Sequence, residues 1–230
     1  MEESDRSTGT ESSGTDVTGG RPAPEAVVFD LGNVLLRWDP YAPFEGRLDR
    51  AEVEAFFAEI DFFAFNHLQD AGRSWQAARE AVAESHPHRL VALDLYLEHF
   101  AEALPGPVEG SEQIVRDLLR AGVHTYGLTN WSAETFHHAG PAAPAVDLLE
   151  GIVVSGVEGI AKPDLRVFAL VAARFALDPA RTVFTDDSAA NVAAAAEAGF
   201  DAVLFTDAPS LRAELVARGL PLDGDEGPRT

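Results

Sequence analysis

Short apolar runs alternate with helical patterns along most of this chain, and that alternation restricts the fold more than any other feature. The runs fall at 26–29, 123–128, 151–154, 182–185 and 202–205. Helical stretches at 111–121, near Ala133, after Pro163, at 188–198 and after Ser210 precede, separate and follow the later ones. Gly122 and Gly199 stand where helices of this kind end, and glycine is the residue that best takes the left-handed turn past a helix. Strand and helix in strict alternation predict a parallel sheet wrapped by helices, an α/β fold.

One stretch breaks the rhythm. After Asp49, Val53, Phe56, Phe57 and Ile60 fall at helical spacing, which makes one apolar face. Ser74 can cap a helix containing Trp75, Ala78 and Val82, and Leu93, Leu97, Phe100 and Leu104 form a further apolar row. No strand pattern interrupts this region, so it reads as a small all-helical module inserted after the first strand. The expected organisation is an acidic, Ser- and Gly-rich disordered tail over 1–22, a core of 23–40 and 105–222, a helical insertion over 41–104, and a flexible tail over 223–230.

Composition narrows the function. At 230 residues and 46% hydrophobic the chain can bury one core with a smaller module attached. A net charge of −21 argues against nucleic acid and anionic membranes, both of which are bound through excess Lys and Arg. There is no cysteine, which removes disulfides, thiolate chemistry and Cys-ligated zinc. No apolar run reaches the roughly 20 residues of a membrane span. These features predict a soluble, cytoplasmic protein, and they leave its oligomeric state open.

The strand ends carry chemistry. The run at 26–29 finishes in Asp30-Leu31-Gly32-Asn33, that at 182–185 in Asp186-Asp187-Ser188, and that at 123–128 in Thr129-Asn130-Trp131-Ser132. All three would emerge at the carboxyl edge of the sheet, where open α/β sheets bind ligands. Lys162 is the only lysine in the chain. A compact ammonium suits a site that must neutralise phosphate or carboxylate as a point charge. If Asp30 and Asp187 met about 4 Å apart they would repel by roughly 4 kcal/mol at an intermediate dielectric. A divalent cation would remove that cost, and with only oxygen ligands to hand Mg²⁺ is the first choice, the Gly32 carbonyl being a candidate third ligand. Asp186 would stand behind the ligands, and Asn191 could orient a bound water.

Phe29-Asp30-Leu31-Gly32-Asn33-Val34, Leu128-Thr129-Asn130, Lys162-Pro163-Asp164 and Phe184-Thr185-Asp186-Asp187-Ser188 together resemble the four ordered motifs of the haloacid dehalogenase-like hydrolase superfamily. The resemblance covers residues 26–205. It implies a Rossmann-like core with a helical cap, Asp30 as nucleophile, Thr129 with nearby backbone amides on the transferring phosphoryl group, and Lys162 steadying the charge. Asp187, helped by Asp186, would hold Mg²⁺ together with Asp30 and Gly32, while Gly32, Asn130 and Trp131 would contact substrate. The implied activity is a phosphomonoesterase for a small phosphate ester, a sugar phosphate being one candidate. A 2-haloacid dehalogenase and a non-catalytic phospho-ligand binder are the alternatives.

One position departs from the pattern. Most phosphatases of this superfamily carry a second aspartate two residues after the nucleophile, the acid for the leaving group; here it is Gly32. Asp39 and His67 are candidates to stand in, although Asp39-Pro40 reads equally as a turn and His67 as a surface residue. Phe62, Phe63 and Trp75 could line a pocket or simply pack. The His137-His138 pair is a poor metal site, because adjacent helical residues do not share a face.

Overall fold

The computed structural model describes residues 23–222; the tails expected at 1–22 and 223–230 lie outside the described residues. Strand β1 (Ala26–Phe29) is followed by helices α1 (Arg50–Ile60), α2 (Phe62–Asp70), α3 (Trp75–Ser85) and α4 (Leu90–Glu98). Then come α5 (Ser111–Arg120), β2 (His124–Thr129), the short α6 (Ala139–Ala142), β3 (Gly151–Val154) and the short α7 (Ser155–Glu158). The chain continues through α8 (Leu165–Arg174), β4 (Thr182–Asp186), α9 (Ala189–Glu197), β5 (Asp201–Leu204) and α10 (Ala208–Ala217).

All five strands are parallel, in the order β3-β2-β1-β4-β5. Every residue of β1 is buried, as its unbroken apolar run requires of a strand covered on both faces. Its side chains divide by alternation. Val27 and Phe29 join a cluster with Leu118, Leu211 and the aromatic residues of the helical insertion, whereas Val28 joins Val167, Phe168, Phe184 and Ala195 on the other face. The strand order reverses between β1 and β4, and a crevice at the carboxyl ends of the strands belongs at such a switch point. Asp30 and Asp186 stand at those two strand ends.

Several local expectations shift. The apolar row Leu93, Leu97, Phe100, Leu104 is not one helix: α4 stops at Glu98 and a 3-10 turn carries Phe100–Ala103. Tyr96 rather than Leu97 is fully buried, since a side chain three residues after Leu93 shares its face as well as one four residues after. The stretch near Ala133 has no α-helix; a 3-10 turn at Phe136–His138 leads into α6. The last helix starts before Ser210, because Asp207 accepts the Ser210 N–H at 2.7 Å and is the cap. Ser74 does cap α3, accepting from Ala77 N–H at 3.1 Å. No helix among the described residues is long and apolar enough to cross a membrane.

Candidate active site

Asp30 closes β1 and is 8% exposed. Its Oδ1 accepts the Leu31 backbone N–H at 2.7 Å and lies 2.9 Å from Lys162 Nζ. Among the described residues no donor reaches its Oδ2. Lys162 is fully enclosed, donating to Asp186 Oδ2 at 2.6 Å and to the Leu128 carbonyl at 3.0 Å. Asn130 clamps the lysine's backbone from both sides: its Nδ2 donates to Lys162 O at 2.9 Å and its Oδ1 accepts Lys162 N–H at 2.8 Å. The ammonium is thereby fixed between two strand ends. Burial pushes the Asp30 carboxyl up to about 7, with Lys162 pulling it down and Asp186 adding repulsion. Burial alone would lower the Lys162 ammonium, but Asp30 and Asp186 more than offset this and its pKa ends above the ordinary value.

Asp186 is saturated. Besides Lys162 it accepts Ser188 N–H at 2.8 Å and both its oxygens receive Asn191 Nδ2, at 3.0 and 3.1 Å. Asn191 therefore holds Asp186 through its Nδ2. Asp187 is exposed, touched at Oδ2 by Asn33 Nδ2 at 3.2 Å. Asp30, Asp186 and Asp187 each offer an oxygen within 4.8 Å of the others. That donor set is all oxygen, with neither histidine nor cysteine, and it fits a hard divalent cation such as Mg²⁺.

Over this floor opens a cavity of about 270 Å³ lined by Asp30, Gly32, Asn33, Thr129, Asn130 and Asp187 from the sheet edge. Its wall adds Trp38, Trp75, Phe100 and Trp131, with Asn66 and Asp70 from α2. The sequence-predicted Gly32, Thr129, Asn130 and Trp131 all reach it. Thr129 is 1% exposed, and its hydroxyl has no partner among the described residues. Trp131 is held on three sides: its N–H donates to Ser155 Oγ at 3.0 Å, its indole donates to Thr135 Oγ1 at 3.1 Å, and its carbonyl receives Gly156 N–H at 3.0 Å. Its amide is thus not free for a phosphate. Gly156 has no room for a side chain, since a Cβ would sit 2.6 Å from Trp131 O.

Neither proposed stand-in acid arrives. Asp39 is exposed and accepts the Tyr41 N–H at 2.9 Å, an Asx-type turn. His67 is exposed on α2 and is not among the lining residues. Phe62 is packed in the core, stacked on Phe57 at 4.0 Å, and Phe63 is 56% exposed; only Trp75 of those three aromatics lines the cavity. The rings of His137 and His138 lie 4.0 Å apart, and neither belongs to the acidic cluster of Asp30, Asp186 and Asp187.

Asp70 went unnoticed in the sequence. The available signal was its place in the last turn of an apolar helix, just ahead of Ala71-Gly72, because a carboxylate there opposes the helix dipole.

A family model described as haloacid dehalogenase-like hydrolase matches residues 24–199. The sesquiterpene phosphatase astK of Aspergillus oryzae is 35% identical over 197 residues, 83% of this chain and 94% of that protein. Among solved structures, a HAD family enzyme from Bacteroides thetaiotaomicron in complex with magnesium and inorganic phosphate superposes with a TM-score of 0.64. It is 21% identical, and the match covers 80% of this chain and 95% of that one. L-2-haloacid dehalogenase from Xanthobacter autotrophicus gives a TM-score of 0.60 at 20% identity, over 84% of this chain and 83% of that one. These structural likenesses speak for the fold, and the family match extends over most of the sequence. The chain belongs to the haloacid dehalogenase-like hydrolases.

Proposed function

We propose that this hydrolase is a cytoplasmic, Mg²⁺-dependent phosphomonoesterase that cleaves the phosphate ester of an apolar alcohol, with the helical insertion over 41–104 serving as its cap. The observation that carries the reading is the unpartnered Asp30 Oδ2 at the floor of a cavity walled by Trp38, Trp75, Phe100 and Trp131. In this reading Asp30 attacks phosphorus, the alcohol leaves, and water hydrolyses the aspartyl phosphate. Thr129 donates its free hydroxyl to the phosphoryl oxygens, and Lys162 balances the charge of nucleophile and phosphate. Asp30, Asp187 and the Gly32 carbonyl would hold Mg²⁺, with Asp186 bracing Lys162 behind them. When bound, the cation neutralises the carboxylates and the phosphoryl oxygens.

The aromatic wall supports an apolar leaving alcohol over a sugar. Among the polar groups of the cavity, Thr135 Oγ1 already accepts the Trp131 indole N–H, Ser132 Oγ the Glu134 N–H, and the Asn130 amide is spent on Lys162, which leaves fewer partners for the hydroxyls of a sugar. The printed activity of the Aspergillus relative, a sesquiterpene phosphatase, points the same way.

An isoprenyl monophosphate, a hexose phosphate and a 2-haloacid, each with Mg²⁺ and with chelator, form the test. The expected result is phosphate release from the isoprenyl ester at least tenfold faster in kcat/KM than from the hexose ester, about 1.4 kcal/mol of discrimination, and none in chelator. Preference for the sugar ester would overturn the apolar substrate, and halide release in chelator would make the protein a dehalogenase.

A further inference from the structure

We propose that Asp70, delivered by the C-terminal turn of α2, is the acid that protonates the leaving alcohol and so replaces the aspartate absent at Gly32. The inference rests on the phosphatase reading above and concerns a residue on the helical insertion, outside the four motifs. Asp70 lines the same cavity as Asp30, Thr129 and Asp187. It ends α2, where the helix dipole favours the neutral carboxylic acid over the carboxylate. Asn66, one turn earlier, donates to its Oδ2 at 3.4 Å.

Its position is held from behind. Gln69 is fully buried, donates to Phe65 O at 2.7 Å and accepts Arg73 Nε at 2.5 Å. Arg73 also donates to Phe65 O at 3.1 Å and lies over the Phe65 ring. Beyond Asp70 the chain turns at Gly72, whose φ of +100° suits glycine and whose Cβ would press on Gly159 Cα at 3.2 Å. That contact seats the end of α2 on α7. The Trp75 backbone N–H donates to Glu134 at 3.0 Å, tying the start of α3 to the loop after β2.

Asp70 shares the cavity with the ionisable Asp30 and Asp187 of the sheet edge, and the charged or ionisable groups that interact with it are Lys162 from the sheet edge and Tyr96 from α4. Burial pushes the Asp70 carboxyl up to about 7, with Lys162 pulling the other way. Tyr96, itself raised by burial, also feels the charge of Asp70. A group that titrates near neutrality can donate in one half-reaction and accept in the other. In the first, Asp30 Oδ2 forms a bond to phosphorus, the P–O bond to the alcohol breaks with its electron pair left on oxygen, and the Asp70 proton goes to that oxygen. In the second, the Asp70 carboxylate takes a proton from the water that attacks phosphorus, and Asp30 departs as carboxylate. Alcohol and phosphate leave, and Asp70 is again protonated.

Leaving-group dependence distinguishes an acid from a residue that merely shapes the pocket. Wild type and Asp70→Asn are assayed in Mg²⁺ on an alkyl phosphate and on p-nitrophenyl phosphate, whose anion departs without a proton. Asp70→Asn should lose ~10² to 10⁴ in kcat/KM on the alkyl ester and stay within a few fold of wild type in kcat/KM on the aryl ester. That ratio reports only the steps up to departure of the leaving group and not the later hydrolysis of the aspartyl phosphate, which both esters share. Adding Gly32→Asp to Asp70→Asn should return part of the alkyl rate. Gly32 has nothing within 4 Å of a built Cβ and no left-handed φ.

The sign of the pH effect follows from a raised pKa: the acid form is present below about 7 and is lost as pH rises through it. The wild-type ratio of alkyl to aryl kcat/KM should therefore fall as pH climbs past neutrality, and the ionisation of Asp30, common to both substrates, cancels in that ratio. Equal loss on both esters, no loss on the alkyl ester, or a pH-independent wild-type ratio would each overturn the proposal. Aryl turnover by Asp70→Asn would leave the phosphatase reading standing in any of those cases. If wild type cleaved neither ester, that reading would fall and this one with it.

Discussion

Asp30→Asn is expected to lower turnover of every phosphate ester by about 10⁴-fold or more, the scale on which removing a nucleophile acts in other hydrolases, while the protein melts within a few degrees of wild type. The structure explains how both can hold. Asn Oδ1 can take the place of Asp30 Oδ1, accepting Leu31 N–H and Lys162 Nζ as before. The amide nitrogen then occupies the Oδ2 position, which faces the cavity and has no donor to clash with among the described residues. Lys162 keeps Asp186 and the Leu128 carbonyl. An amide is nearly isosteric with a carboxylate, but it carries no charge and is not a nucleophile toward phosphorus. Steady-state assays beside thermal melts make the check. Turnover within about a hundredfold of wild type would remove the aspartyl intermediate, and a collapse in melting temperature would show that Asp30 is structural.

Much of the floor of this site was legible in the sequence because it is built on strand ends. A short apolar run followed by a carboxylate fixes both where the chain is buried and where it emerges, so Asp30, Thr129 and Asp186 could be placed before any coordinates. The lone lysine was legible because every other cation in the chain is arginine. The wall was less so. The sequence offers Trp75 beside Phe62 and Phe63 without a way to choose among them, and Trp38 and Phe100 reach the cavity from separate segments. No helical or strand period records which of two apolar faces looks into a crevice. Asp39 and His67 were reasonable stand-ins for a missing acid on residue type alone, yet their orientation is set by a turn and by the phase of α2. On α2 it is Asn66 and, one turn later, Asp70 that reach the cavity instead. Asn191 shows the same limit at short range. Its spacing from Asp187 suggested a water ligand, but the nearer Asp186 takes both hydrogen bonds.

Lys162→Met should cost both stability and activity, and a second substitution should separate the two. Lys162 is the only cation bonded to Asp30 and Asp186 among the described residues. Taking away one partner of a buried ionic group leaves uncompensated charge and typically costs about 3 to 5 kcal/mol. For a domain of this size that corresponds to a fall in melting temperature of roughly 6 to 20 °C. The loss should be clearest in chelator, where no cation can take over the neutralisation. Adding Asp186→Asn removes one of the two buried charges while leaving an oxygen to accept Ser188 N–H. The double variant should therefore recover most of the lost stability, a non-additive result expected of groups in direct contact. It should recover no turnover, because the charge that offsets nucleophile and phosphate is still missing. Thermal melts and assays of wild type, both single variants and the double variant decide the matter. If Lys162→Met melted with wild type, the buried ion pairs would contribute nothing to the fold. If the double variant regained activity, the catalytic part assigned to the ammonium would belong to another group.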